Sequence, residues 1–158
     1  MNKLYVMSGC PGSGKTYYAK THFPDAIYVS RDEIRFSMVS ETEEYFSKEK
    51  QVFKEFISEI NAGIASGKDV VADATHLNEK SRTKLFNNLI IDRDKTKVEV
   101  ICMQVPLHTC IKQNENRKGT RSYVPQDVIK RMFLSVTIPS YAEREKFMNV
   151  VRFIRKGE

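Results

Sequence analysis

Short apolar runs alternate along the chain with longer stretches in which apolar residues recur at helical spacing. The first run, from Leu4 to Met7, ends in a glycine-rich turn, which is typical of a buried strand. Further strands are predicted from similar runs at 26–29, 70–73, 98–105 and 150–154. Because these runs are almost continuously apolar rather than alternating, they favour strands that are covered on both faces.

Helices are predicted between these strands. One extends from about Lys15 to His22 and ends near Pro24, and another contains six apolar residues at helical spacing between Phe46 and Ile64 and ends at Gly67. Three more are predicted at about 78–91, 107–117 and 125–134, with Pro125 as the first residue of the last helix.

Alternating strands and helices predict an α/β fold, a three-layer sandwich with a mainly parallel central sheet. Ligands of such sheets bind at the carboxyl ends of the strands, and the polar clusters of this sequence fall at those ends. The 158 residues contain no repeat or linker-like tract, so we expect a single domain over 1–158.

Composition supports a soluble protein, with 41% hydrophobic and 29% charged residues. No apolar run approaches the roughly 18 residues of a membrane span, and no signal-peptide core is present, so we expect a cytoplasmic location without a membrane partner. Cys10, Cys102 and Cys110 show no metal-like spacing, which fits reduced thiols. The oligomeric state is not readable from the sequence.

The net charge of +6 is concentrated in the last third of the chain. Residues 1–111 contain 15 Lys and Arg against 15 Asp and Glu, whereas residues 112–158 contain 11 against 5. This asymmetry fits either solubility or a surface that faces a polyanion such as nucleic acid.

The residues with the most specific chemistry match the phosphate-loop pattern G-x-x-x-x-G-K-[ST] between a predicted strand and a predicted helix. They are Gly9, Cys10, Pro11, Gly12, Ser13, Gly14, Lys15 and Thr16. Glycines let the backbone N–H groups surround phosphates, and the following helix adds the positive end of its dipole. We therefore expect this loop to bind ATP, with Lys15 at the β- and γ-phosphates and the Thr16 hydroxyl on Mg²⁺.

A second polar cluster, residues 30–35, directly follows the second predicted strand. Asp32 at this place can accept the proton of an attacking hydroxyl, and Arg35 shares its helical face if a helix begins here. The alternative is that Asp32 only caps a helix and the arginines form surface ion pairs.

A third cluster, residues 73–78, follows the third strand. An apolar run that ends in Asp73 resembles the carboxylate that supports Mg²⁺ in phosphate-loop enzymes. His76 in the same cluster is interpreted as a satisfied histidine rather than a metal ligand, because no second metal-type partner is nearby.

A fourth segment, about 117–124, combines arginines with a glycine and precedes Pro125. Such a segment is typical of a mobile lid that delivers arginine to phosphates, and Arg117 and Arg121 are both candidates. The alternative is an exposed basic turn.

Taken in order, these four clusters resemble the kinase domain of bacteriophage-type polynucleotide 5′-hydroxyl kinases, over residues 3 to about 135. The resemblance lies in 9–15, in Arg31-Asp32 followed by Arg35, and in Arg117 with Gly119-Thr120, followed by Val124-Pro125, Asp127-Val128 and Arg131-Met132. It implies that Lys15, Asp32 and Arg117 are catalytic, and that Arg35, Asp73 and Thr75 contact the acceptor.

Two departures from the family pattern leave roles open. Lys118 is an extra residue between Arg117 and Gly119, so Arg121 is a rival lid arginine. The family's Asp-Thr-x-Leu-Asn pattern fits 73–78 only with one inserted residue, so either Asp73 or Ala74 occupies the carboxylate position.

The resulting hypothesis is a Mg²⁺- and ATP-dependent kinase that phosphorylates the 5′-hydroxyl end of DNA or RNA. The alternatives are a small-molecule or tRNA-directed kinase with the same machinery, and an ATP-binding switch protein that is not a kinase. A switch would not need Asp32 beside Arg35, so that pair discriminates between the classes.

Overall fold

In a computed structural model that describes residues 1–156, five strands form one sheet. The strands are β1 (Asn2–Ser8), β2 (Ile27–Ser30), β3 (Val70–Asp73), β4 (Thr96–Gln104) and β5 (Val150–Arg155). Their order is β2-β3-β1-β4-β5, and all neighbouring pairs are parallel. The predicted α/β class with a parallel central sheet is confirmed.

Seven helices connect these strands within the described residues. They are α1 (Lys15–His22), α2 (Arg31–Met38), α3 (Glu49–Ala65), α4 (Glu79–Asn88), α5 (Leu107–Glu115), α6 (Gln126–Leu134) and α7 (Tyr141–Phe147). None of the helices found in residues 1–156 is long and apolar enough to cross a membrane.

Both faces of the sheet are covered, and residues 1–156 form an apolar core on each face. On one face, side chains of α3 and α4 such as Phe56 and Leu85 pack on Leu4, Val98 and their neighbours. On the other, Ala19 of α1, Cys110 of α5 and Ile129 of α6 pack on the opposite side of the strands. Burial on both faces explains why the strands are nearly continuous apolar runs.

The predicted helices correspond to observed ones; α1 has the predicted bounds, whereas several others have shifted ends. The helix predicted from Phe46 begins at Glu49, and those predicted to reach Ile91 and Arg117 end at Asn88 and Glu115. At the other end of α4, Asn78 and Ser81 form a reciprocal capping box that fixes the start of the helix.

Helix α7 was not predicted. It begins with a capping box between Ser140 and Glu143, and the Glu143 carboxylate also pairs with Arg82 of α4. Arg82 is fully buried and donates to Glu143 through Nε at 2.8 Å and Nη2 at 3.1 Å. Because this pair joins residues 61 positions apart, local periodicity contains no signal for it.

Candidate active site

The phosphate loop turns from the end of β1 into the start of α1 at the carboxyl edge of the sheet. Gly12 and Gly14 have φ angles of 82° and 85°, which other residues rarely adopt. A Cβ atom on Gly12 would lie 2.2 Å from the backbone oxygen of Cys110, whereas one on Gly14 would meet nothing within 4 Å. The loop therefore packs tightly against α5 on one side and opens at Gly14.

Polar groups of the loop fit an anionic ligand. The Ser13 hydroxyl is buried and has no hydrogen-bond partner among residues 1–156. Lys15 is half-buried at the first position of α1, where the helix N-terminus is electropositive. A buried donor without a partner is costly, and a bound phosphate at the loop would offset that cost.

Thr16 and Asp73 are hydrogen-bonded across the edge of the sheet. The Thr16 hydroxyl donates to Asp73 Oδ2 at 2.7 Å, and the Tyr28 hydroxyl donates to the same oxygen. Burial and then the Asp73 carboxylate raise the pKa of Tyr28, so its hydroxyl remains a proton donor at neutral pH. A threonine hydroxyl beside a carboxylate is the oxygen donor set that Mg²⁺ prefers with nucleotide phosphates.

The two candidates for the carboxylate position are separated by their surroundings. Asp73 pairs in register with Ser30 of β2 and contacts Thr16. Ala74 is partly buried against the apolar core on the α3 and α4 side. The geometry thus favours Asp73 as the carboxylate beside Thr16.

The next residues of the β3 loop form a buried turn. His76 has a φ of 41°, and its Nδ1 lies 2.8 Å from the backbone oxygen of Met7. Burial lowers the pKa of His76 to about 4, so the ring is neutral at physiological pH. The Thr75 carbonyl accepts a hydrogen bond from the Gly9 N–H at 2.9 Å. His76 is therefore a satisfied histidine, as predicted.

Helix α2 begins immediately after β2, with the Ser30 hydroxyl accepting from the Glu33 N–H at 3.2 Å. The helix places Asp32 and Arg35 on one face, as predicted, with Arg35 Nη1 2.6 Å from Asp32 Oδ1. The Asp32 side chain is 61% exposed, whereas that of Arg35 is 7% exposed. Asp32 is thus open to solvent beside a fixed guanidinium.

Arg35 is also held by groups that sequence analysis did not find. Glu49 at the start of α3 accepts from Arg35 Nε at 2.5 Å and Nη2 at 3.1 Å, and the Tyr45 hydroxyl accepts from Nη1 at 3.1 Å. Burial lowers the pKa of Arg35, but the Glu49, Tyr45 and Asp32 contacts outweigh it and raise the pKa. Arg35 therefore stays charged despite its burial.

The segment predicted as a lid follows α5. The Arg121 side chain packs against the carboxyl end of α2. Its Nη1 donates to the Phe36 carbonyl at 3.2 Å, and its Nη2 donates to the Val39 carbonyl. Arg117 is half-buried, and its side chain makes no hydrogen bond or ion pair within the described part of the chain. Arg117 is consequently the candidate whose guanidinium is uncommitted.

The three cysteines line one cavity of about 520 Å³ beside Gly9, together with Phe133 and Ile138. Burial raises the pKa of Cys10 to about 11, and it also raises the pKa of Cys102 and Cys110. All three are therefore protonated thiols at neutral pH.

A sequence-family profile described as an AAA domain (AAA_33) matches residues 4–139 of the chain. The matched range contains the phosphate loop, Asp32, Asp73 and both candidate lid arginines.

Solved structures share the fold at low sequence identity. A chain of the Pnkp1/Rnl/Hen1 RNA repair complex matches with a TM-score of 0.72 and 19% identity, over 92% of this chain and 46% of that one. A sugar kinase from Janibacter sp. HTCC2649 matches with a TM-score of 0.60 and 14% identity, over 98% and 85%. Chaetomium thermophilum Kti12 in complex with ADP-AlF3 matches with a TM-score of 0.62 and 13% identity, over 96% and 88%.

The chain therefore shares its fold with a chain of an RNA repair complex, with a sugar kinase and with Kti12. The chain spans less than half the length of the RNA repair chain. At these identities the matches show the fold alone.

Proposed function

Since the chain belongs to the AAA domain family (AAA_33) and has a P-loop kinase-type fold, we propose that it is an ATP-dependent kinase for polynucleotide ends. The reaction transfers the γ-phosphoryl group of ATP to the 5′-hydroxyl of DNA or RNA. The acceptor oxygen bonds to the γ-phosphorus, the bond to the β–γ bridging oxygen breaks, and ADP leaves.

The donor half of the proposal rests on the phosphate loop. Lys15, half-buried at the start of α1, would contact the β- and γ-phosphates, and free backbone N–H groups of the loop would bind their oxygens. Mg²⁺ would be held by Thr16, with Asp73 beside it, because these oxygens already form a hydrogen-bonded pair at 2.7 Å. Bound Mg²⁺ neutralises charge that develops on the phosphates during transfer.

The observation that carries the acceptor half is the Asp32–Arg35 pair at the carboxyl end of β2. An exposed carboxylate there can take the proton of the attacking hydroxyl. An arginine 2.6 Å away can hold a phosphate on the acceptor, which orients the hydroxyl toward Asp32. A nucleotide at a polynucleotide 5′ end provides both groups, because it bears a 5′-hydroxyl and a phosphate on its 3′ side.

In this proposal the 117–124 segment is a lid that brings an arginine to the phosphates. Arg117 is the better candidate for contact with the transferred phosphoryl group, because Arg121 already binds the carbonyl oxygens at the end of α2. An arginine at this position would stabilise charge on the equatorial oxygens of the transition state.

The test is transfer from labelled ATP to a matched panel of acceptors in the presence of Mg²⁺. The panel contains a 5′-hydroxyl oligonucleotide of DNA and of RNA, a nucleoside 3′-monophosphate, the corresponding nucleoside, and a sugar. We expect transfer to the first three and poor transfer to the nucleoside and the sugar. Asp32→Asn should bind ATP normally but lower turnover by about 10²–10⁴-fold.

Each alternative has its own signature in that panel. Equal transfer to nucleoside and 3′-nucleotide, or preferred transfer to the sugar, would replace the proposal with a small-molecule kinase. Transfer to intact tRNA alone would indicate a tRNA-directed kinase. ATP hydrolysis without transfer to any acceptor would indicate a switch protein, and Lys15→Ala serves as the inactive control in every case.

A further inference from the structure

We propose that Arg31 and Arg35 together form a phosphate-binding fork for the acceptor, and that the Glu49 carboxylate occupies this fork when no acceptor is bound. The inference deepens the proposed function and rests on it. It adds Arg31 as a second acceptor contact and makes Glu49 an internal competitor that selects for anionic acceptors.

Three guanidinium N–H groups converge on the Glu49 carboxylate. Arg35 Nε donates to Oε1 at 2.5 Å, while Arg35 Nη2 and Arg31 Nη2 donate to Oε2 at 3.1 Å and 3.0 Å. Bidentate contact from one arginine with support from a second is also how proteins hold a phosphate group. The carboxylate thus occupies a site whose donors suit either anion.

Arg31 has a donor that this carboxylate does not satisfy. Its Nε is buried and has no hydrogen-bond partner among residues 1–156, although Nη2 is bonded to Glu49. The guanidinium is held over the ring of Phe53 at 5.3 Å, so it is positioned in advance. A phosphate presents more acceptor oxygens than a carboxylate, and could therefore engage Nε as well.

Within the fork, Arg35 has anchors other than Glu49. Arg35 Nη1 is bonded to Asp32 at 2.6 Å and to the Tyr45 hydroxyl at 3.1 Å, and its guanidinium lies 4.8 Å from the Tyr45 ring centre. These contacts involve atoms other than Nε and Nη2, the two that bind Glu49. Arg35 can therefore remain in place when Glu49 leaves.

Glu49 is placed so that its side chain can leave. It is the first residue of α3, and its side chain is 28% exposed. Rotation about its side-chain bonds moves the carboxylate toward water without movement of the helix. A neutral acceptor provides no charge to replace the carboxylate between two arginines, so this arrangement favours acceptors that carry a phosphate.

The experiment measures binding of a fluorescent 5′-hydroxyl oligonucleotide by anisotropy in the absence of ATP. Glu49→Gln keeps the size of the side chain and removes its charge, which weakens the competitor. We expect about five- to tenfold tighter binding, since charge-assisted hydrogen bonds are replaced by neutral ones. Arg31→Gln should weaken binding by about tenfold or more.

Glu43→Gln is the matched control. Glu43 forms an exposed ion pair with Lys48 at 3.3 Å in the segment before α3, and it does not contact either arginine of the fork. Its substitution should leave oligonucleotide affinity unchanged. Melting temperatures of all variants show whether each is folded, and Glu49→Asp, which keeps the charge but shortens the side chain, replaces Glu49→Gln if that variant does not fold.

Weaker binding in both Glu49 variants would overturn the inference, because Glu49 would then be a support for Arg35 rather than a competitor. Unchanged binding in Arg31→Gln would overturn the role of Arg31. Since binding is measured without ATP, the two hypotheses fail separately: the expected affinities with no phosphoryl transfer would refute only the proposed kinase. Transfer to 5′ ends with unchanged affinities would refute only the fork.

Discussion

Thr16 and Tyr28, which lie on different elements, donate hydrogen bonds to the same oxygen, Oδ2 of Asp73. Thr16 is the second residue of α1 and Tyr28 belongs to β2, so the two hydrogen bonds fix the position of the Asp73 carboxylate relative to both elements. A carboxylate oriented in this way can hold the Thr16 oxygen toward a metal ion.

Replacement of Tyr28 by Phe should therefore raise the Mg²⁺ requirement for nucleotide binding. We expect about a tenfold increase in the Mg²⁺ concentration at half-saturation, the scale seen when a residue that orients a metal ligand is lost. The measurement is a Mg²⁺ titration of ADP affinity by calorimetry. Tyr5→Phe is the control, because that ring stacks on Phe23 and is not bonded to Asp73. Similar shifts in both variants would assign Tyr28 a general structural role.

Alanine at two glycines of the phosphate loop should have unequal effects on stability. Both residues have positive φ, so alanine costs about 1–2 kcal/mol at either place. In Gly12→Ala the new Cβ atom would lie 2.2 Å from the Cys110 oxygen, so the backbone must also shift to remove this clash. In Gly14→Ala the new Cβ atom meets nothing within 4 Å. Without nucleotide, Gly12→Ala should be less stable than Gly14→Ala by roughly 1–3 kcal/mol in urea unfolding. Equal stabilities would show that the loop can move away from α5.

Because burial keeps His76 neutral, the free energy of unfolding should depend on pH. Its pKa is 6.5 in the unfolded chain and about 4 when buried, so the unfolded state binds more protons between these values. Stability should thus be constant above about pH 7 and fall as the pH drops below 6.5, by about 2 kcal/mol at pH 5. Glu49 and Glu143 have lowered pKa values, so their contribution is lost only below about pH 4.5.

Urea unfolding at pH 7.5 and pH 5 tests this dependence. His76→Asn should remove most of the difference, since asparagine tolerates the left-handed backbone and does not titrate in this range. His108→Asn is the control, because His108 is exposed. A difference that persists in His76→Asn and vanishes in His108→Asn would contradict the assignment.

The buried ion pair between Arg82 and Glu143 should be expensive to break from one side. Glu143→Gln leaves the fully buried guanidinium of Arg82 without its counter-charge, and we expect a loss of about 3–5 kcal/mol in the free energy of unfolding. The double substitution Arg82→Met with Glu143→Leu should recover much of this loss. Asp127→Asn, in an exposed pair with Arg131, should cost less than about 1 kcal/mol. A small effect of Glu143→Gln would mean that water reaches Arg82.

The fold and the phosphate loop were predictable because their signals are local. Apolar runs mark strands buried on both faces, and the spacing from Gly9 to Thr16 is interpretable without knowledge of the rest of the chain. The Asp32–Arg35 pair was predictable for the same reason, since three residues on a helix share a face.

Contacts between distant segments were not predictable. Tyr28 lies 45 residues from Asp73, and Glu49 lies 14 residues beyond Arg35 across an irregular segment, so no periodicity relates them. Tyr28 had one weak signal, a polar hydroxyl within an apolar strand two residues before Ser30. Glu49 looked like one of several acidic residues between 41 and 49.

The close packing of Gly12 against the Cys110 oxygen links the phosphate loop to the far end of the proposed acceptor site. Cys110 belongs to α5, and α5 continues directly into the 117–124 segment whose Arg121 binds the end of α2. A displacement of α5 would therefore change both the contact between Cys110 and Gly12 in the phosphate loop and the contact between Arg121 and α2. If bound phosphates favour one position of α5, a ligand that holds α2 or the 117–124 segment in the matching position must raise the affinity of the phosphate loop by the same factor.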